Sequence, residues 1–151
     1  MTTVEILHNV TVVRRQLQYA PAIFMRHGFA DPRYLPGDTC ARGMTYETWA
    51  EGNAAAEEAY RIGNMDADMA DTPFEAELIA RYRALRVRSV STGDVVLVDG
   101  RPWRCDPFGW FAIDEAPAIA ALPAANYQRA MEEAPRTRYL DPLLESVLVD
   151  A

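Results

Sequence analysis

The chain has no lysine: all 15 of its basic residues are arginine. Such usage is the ordinary product of a GC-rich coding sequence. The alternative is selection for bidentate anion binding, which arginine performs better than lysine. Cysteine is scarce. Cys40 and Cys105 are the only two, so no disulfide framework is available. Histidine is limited to His8 and His27, and none of these four soft ligands stands at zinc spacing, so neither a metal nor a cofactor is expected. No apolar run is long enough to cross a bilayer, and the start has no secretory pattern. A cytoplasmic protein without a membrane partner is therefore expected. There is no phosphate loop, no dinucleotide fingerprint and no nucleophile elbow.

What is present is a globular composition. Half of the 151 residues are hydrophobic and a quarter are charged, which suits one domain over 1–151 with a substantial core. Net charge is −7. Phosphate therefore meets a repulsive overall field, and specific nucleic-acid binding is not expected. The charge is uneven. Residues 45–78 carry nine acids against Arg61 alone, and residues 79–105 carry six arginines against Asp94 and Asp99. An acidic helix face is ordinarily just solvated, and secondarily able to dock a basic partner.

Val4, Ile6, His8 and Val10 alternate with Glu5, Leu7 and Asn9, the period of a strand. Ala22–Met25 reads as a second short strand. Gly28 to Gly43 reads as a long loop, broken by Pro32, Pro36, Gly37 and Asp38. A helix is predicted over Tyr46–Ile62, with Tyr46, Trp49, Asn53, Ala56 and Tyr60 on its buried stripe. Glu57 and Arg61 make an i,i+4 pair, and Gly63-Asn64 stops the helix. The next helix starts sharply: Thr72 caps it, Pro73 takes the first position and Glu75 completes a capping box. Phe74, Leu78, Tyr82 and Leu85 form its apolar stripe. Arg81, Arg83 and Arg86 crowd its C-terminal end, where cations suit the helix dipole. A further helix runs from Leu122-Pro123 to Glu133, stopped by Pro135. The tail, 136–151, carries Leu143, Leu144, Val147 and Leu148 on one side. That side is expected to dock on the body, a homo-oligomer contact being the alternative.

Arg88–Ile113 is the best-specified stretch. Ser91-Thr92-Gly93 turns into a strand over Asp94–Val98. Asp99-Gly100 is a two-residue type I′ hairpin signal, since both positions need positive φ. Arg101–Cys105 returns, Asp106-Pro107-Phe108-Gly109 makes a second turn, and Trp110–Ile113 is the third strand. The register places Val98 opposite Arg101, Val96 opposite Trp103, and Cys105 opposite both Asp94 and Trp110. Val96, Trp103, Cys105 and Trp110 then share one face, with Val95, Leu97, Arg104 and Phe111 on the other. Pro102 cannot donate to a ladder, so the pairing is open or interrupted on one side of it. The expected fold is α+β. A small, mostly antiparallel sheet joins the N-terminal strand to the meander at 94–113, with two central helices packed on it and a short helical C-terminal tail.

The pattern Arg88-Ser89-x-Ser91-x-Gly93-Asp94-Val95-Val96, followed by Asp99-Gly100, Cys105 and Gly109-Trp110, resembles a family of small uncharacterised proteins of actinobacteria and their phages. The opening Val4-Glu5-Ile6-Leu7-His8-Asn9-Val10 is similar to the usual start of those proteins. A more distant likeness is to the YodL-like domain of mobile elements. The resemblance covers about a quarter of the chain and departs at Val90 and Thr92, where leucine and valine are expected. It implies a phage or mobile-element accessory protein and supplies no catalytic residues.

Three functional classes follow. The first is a non-catalytic accessory protein that binds a host protein, in the host cytoplasm if phage-encoded. The second is a nucleic-acid-associated factor using the basic stretch Arg81–Arg104, with Arg81, Arg83, Arg86, Arg88 and Arg104 as binding residues. The third is a small enzyme around Asp94, whose simpler role is to hydrogen-bond the Ser89–Gly93 turn.

Overall fold

The computed structural model of the chain describes residues 1–15 and 32–133. These form a six-stranded sheet: β1 (Thr2–Asn9), β2 (Thr39–Thr48), β3 (Val95–Val98), β4 (Arg101–Asp106), β5 (Gly109–Ala112) and β6 (Ala118–Ile119). The spatial order is β5-β4-β3-β1-β2-β6, and only the β2–β6 pairing is parallel. Four α-helices accompany it among the described residues: α1 (10–15), α2 (Gly52–Ile62), α3 (Pro73–Ala84) and α4 (Ala124–Glu133). The molecule is thus α+β, with the N-terminal strand and the meander in one sheet. The predicted strand Ala22–Met25, the Pro135 stop and the tail 136–151 lie outside the described residues.

The meander forms in its expected register. Val98 pairs with Arg101 and Val96 with Trp103, Cys105 pairs with Trp110, and Cys105 N donates to Asp94 O at 2.9 Å. Asp99 and Gly100 both take positive φ, 49° and 80°. The hairpin is also tied sideways, because the Asp99 carboxylate accepts from Thr3 N at 2.8 Å. β5 ends opposite Trp103. Pro102 therefore lies just past that ladder, where its carbonyl alone is used, by Ile113 N at 3.0 Å.

One sheet face carries Val4, Ile6, Met44, Tyr46, Val96, Val98, Cys105 and Trp110 against Ala55, Ala56, Ala59 and Ile62 of α2 and Leu78, Ile79 and Tyr82 of α3. Three alanines on α2 let its backbone approach the sheet closely. α4 covers the same face farther along, where Ala124 and Tyr127 meet Val10 and Ala41. On the other face, Leu7, Cys40 and Val95 are closed over by Tyr34, with Leu97 and Ile113 at the margin.

Several expectations are corrected. Residues 39–43 are strand, not loop, and Tyr46 is on β2, not on a helix. Tyr46 and Trp49 stand at helical spacing by coincidence; the burial along β2 alternates with a period of two, broken by a bulge opposite Glu5–Leu7. The buried side of α2 is alanine and Ile62, which leaves Tyr60 and Trp49 exposed. On α3, Ile79 replaces Phe74 and Leu85 in the core. Val10 begins a helix and does not extend β1. Arg61 reaches Asp71 at 2.9 Å and Glu75 at 2.8 Å across the helix pair, in place of the expected partner Glu57. Thr72 caps α3 and Pro73 takes its first position as read, with Thr72 Oγ1 accepting from Glu75 N at 3.1 Å, but the Glu75 carboxylate accepts from Asp71 N at 3.2 Å and does not close the expected box on Thr72 N.

Candidate functional site

The densest chemistry lies where β1 ends beside the start of β3. Gly93 turns the chain there with φ +99°, and a side chain at that position would meet the carbonyl of Pro32. The turn drives Asp94 fully into the interior. Its carboxylate accepts from Asn9 N at 2.9 Å, from Ser91 N at 2.9 Å, and from both arms of Arg88 at 2.5 and 2.7 Å. Burial alone would raise the Asp94 carboxyl, but the Arg88 charge and hydrogen bonds hold it below its ordinary value. Burial likewise works against the Arg88 charge, and Asp94 outweighs it.

Asn9 joins this pair to a second one. Its amide donates to Gly93 O at 2.9 Å and to Asp38 Oδ2 at 3.0 Å, and Asp38 is held by Arg15 at 2.6 and 3.0 Å. The Asn9 carbonyl accepts from Val12 N at 2.8 Å, which makes Asn9 the N-cap of α1. One asparagine thus closes a strand, starts a helix and bridges two Asp–Arg pairs.

His8 sits on the helix side of the same crossing. A Cβ at Gly43 would come within 2.8 Å of the His8 ring, so only glycine lets β2 pass there. Tyr82 Oη donates to Arg88 O and lies 3.3 Å from His8 Nε2. A hydroxyl has one proton; with that proton on the carbonyl, Nε2–H is the donor to Tyr82. Nδ1 is then a bare acceptor. It has no hydrogen-bond partner and stands 3.9 Å from Asp94 Oδ2. Burial pushes the His8 imidazole down to about 4, against the opposing pull of Asp94.

The arrangement clamps the fold and is poorly built for turnover. Asp94 is fully engaged and faces no open space. His8 lines only a small crevice of about 70 Å³, otherwise walled mainly by Val10, Val87, Ala124 and Met131. The thiols lie on opposite sheet faces, and burial pushes both up, Cys105 to about 12. Among the described residues no three His, Cys, Asp or Glu side chains converge to hold a metal.

The five arginines singled out from the sequence are not brought onto one surface. Arg88 is spent on Asp94. Arg81 caps Thr45 O on β2 at 3.2 Å, while Arg83 reaches Met65 O at 2.9 Å beyond α2. Arg86 follows α3 in a left-handed conformation with φ 54°. Arg104 is on the other sheet face, 5.7 Å over the Phe111 ring and 3.2 Å from Asp106.

The surface holds what the sequence reading missed. Trp49 is 80% exposed and Phe108 is 99% exposed. Trp49 stands at the rim of a groove of about 350 Å³ between the second half of α2 and the first half of α3. Among the described residues no helix is long and apolar enough to cross a membrane. No protein-family model matches the chain, and no curated protein or solved structure proves similar to it.

Proposed function

We propose that the protein is a non-catalytic accessory protein that acts by binding another protein. The observation that carries this reading is the distribution of chemistry. Among the described residues His8, Asp94 and both thiols are buried, with Asp94 committed to Arg88, while large aromatic side chains, Trp49 and Phe108, stand in solvent. Solvent-exposed aromatic rings are favoured anchors in protein interfaces. The resemblance of the meander to actinobacterial and phage proteins supports a partner in a host cytoplasm.

The test is affinity capture from a host cytoplasmic extract with the tagged protein, read by mass spectrometry. A partner recovered in proportion to bait, and competed by untagged protein, is expected. Turnover of a small molecule by the purified protein, abolished in Asp94→Asn under conditions where its melt shows that variant still folded, would replace this reading with an enzymatic one.

A further inference from the structure

We infer that the groove between α2 and α3 receives an arginine or lysine side chain from a basic segment of the partner protein. This rests on the binding reading above and gives it a place and a chemistry.

Ile62 and Leu78 contribute the groove's apolar surface, Trp49 and Phe74 line it as exposed rings, and Glu58 and Asp71 supply carboxylates. Its volume, about 350 Å³, falls in the range of clefts that take a ligand group, roughly 300–1,000 Å³. The Trp49 ring is held on a short turn, where Ala50 N donates to Thr48 Oγ1 at 3.2 Å, and most of it meets only solvent. Glu58 lines the groove with its Oε1 turned inward, out of solvent, beside the Tyr46 hydroxyl. Burial, the Glu58 charge and hydrogen bonding to Glu58 all push that hydroxyl up. The nearby guanidinium, Arg61, is already divided between Asp71 and Glu75. Of the groove's three carboxylates only Glu58 is left without a cation among the described residues, so the groove offers the open Trp49 ring face and one uncommitted acid.

A guanidinium or ammonium supplies both needs at once. It lies over the Trp49 ring and donates to Glu58 in a charge-assisted hydrogen bond. Its aliphatic stem covers the apolar floor. Charge selects against other occupants. Residues 45–78 hold nine acids against one arginine, and the chain as a whole carries −7. A second copy, a nucleic acid or an anionic lipid surface is repelled, whereas a basic segment is steered in.

The full chain is titrated calorimetrically with a short alternating Arg-Ser peptide and with the same peptide carrying glutamine for arginine. Saturable binding of the arginine peptide is expected. Glutamine replacement, Trp49→Ala and Glu58→Gln should each weaken it about tenfold. Glu115→Gln, an exposed acid beyond the opposite sheet face, should leave it within about twofold. Trp49 is solvent-exposed and Gln is nearly isosteric with Glu, so the variants keep the fold, checked by their melts. Equal weakening by Glu115→Gln, no effect of Trp49→Ala, or no saturable binding overturns the groove. The parent and Trp49→Ala then serve as baits in the extract. If both hold one partner equally, the groove fails and the binding function stands; if neither holds any, both fail.

Discussion

Replacing His8 by glutamine should remove a pH dependence that the buried imidazole imposes on stability. At neutral pH the imidazole is uncharged in both folded and unfolded chains. Below the ordinary histidine value of 6.5 the unfolded chain takes up a proton. The folded chain refuses it until about pH 4, because burial among Tyr82, Gly43 and the Arg88–Asp94 pair leaves no room to solvate the charge. The unfolded state therefore binds more protons throughout that window, and stability falls as pH falls. From 6.5 to about 4, at ~1.36 kcal/mol per pH unit, the loss approaches about 3 kcal/mol. That is a large share of the roughly 5–15 kcal/mol that holds a small domain together. Asp94 adds little in this range. Its folded value lies below the ordinary carboxylate one, so its contribution is present above that range and is lost only as the solution is acidified through it. Urea denaturation of the parent and His8→Gln at steps between pH 7 and pH 4.5 measures the difference. His27 is common to both proteins and cancels. The variant is expected to be less stable at pH 7, having lost the ring packed against Gly43 and Tyr82, yet to show a flatter decline. Parallel declines in the two proteins would refute the reasoning.

Two further predictions concern the interior. Asp94→Asn leaves the Arg88 charge buried without its counter-ion and should cost about 3–5 kcal/mol, whereas Asp94→Asn with Arg88→Met should cost clearly less than the two changes added; additive losses in denaturant melts would show that the pair is not coupled. Trp110→Ala, removing a side chain that is 7% exposed, should cost about 3–5 kcal/mol, and Arg104→Ala, on the other sheet face, about 1 kcal/mol or less, a contrast the same melts would read.

The meander was legible because its turns are written in local chemistry: Asp99-Gly100 admits one turn type, and that turn fixes every facing pair from Val98 back to Asp94. The Thr72-Pro73-Glu75 start of α3 was legible for the same reason. β2 was not. Gly43 and the polar residues around it resemble loop composition, and Tyr46 and Trp49 are separated by a helical interval although a strand end lies between them. The role of Asp94 as the acceptor of its own turn could be read, since Ser91 is three residues away. Its partner Asn9 is 85 residues away, and no local rule joins them. Asn9 nevertheless carried one readable signal, a helix-capping residue placed where the strand pattern ends, and the alternation of Val4 to Val10 masked it. Helical spacing with Tyr46, Ala56 and Tyr60 puts Trp49 on a buried stripe; it stands in solvent because α2 begins only at Gly52 and buries alanines in its place.

The position of β1 has a consequence for how the chain is built. Of the six described strands it is made first, yet it lies inside the sheet, between β2 and β3. Its earlier partner, β2, is available once Thr48 has been synthesised, and the two can pair as an antiparallel unit. Its other edge stays open until Val95–Val98 arrives, after both central helices have been made. During that interval Val4, Ile6 and Leu7 belong to an unpaired edge, the kind of surface on which nascent chains associate wrongly. Closing the sheet is a long-range event, slow by the usual dependence of folding rate on sequence separation. The same event brings Asn9 to Asp94 and Thr3 to Asp99, so each end of β1 is fastened as its second neighbour docks.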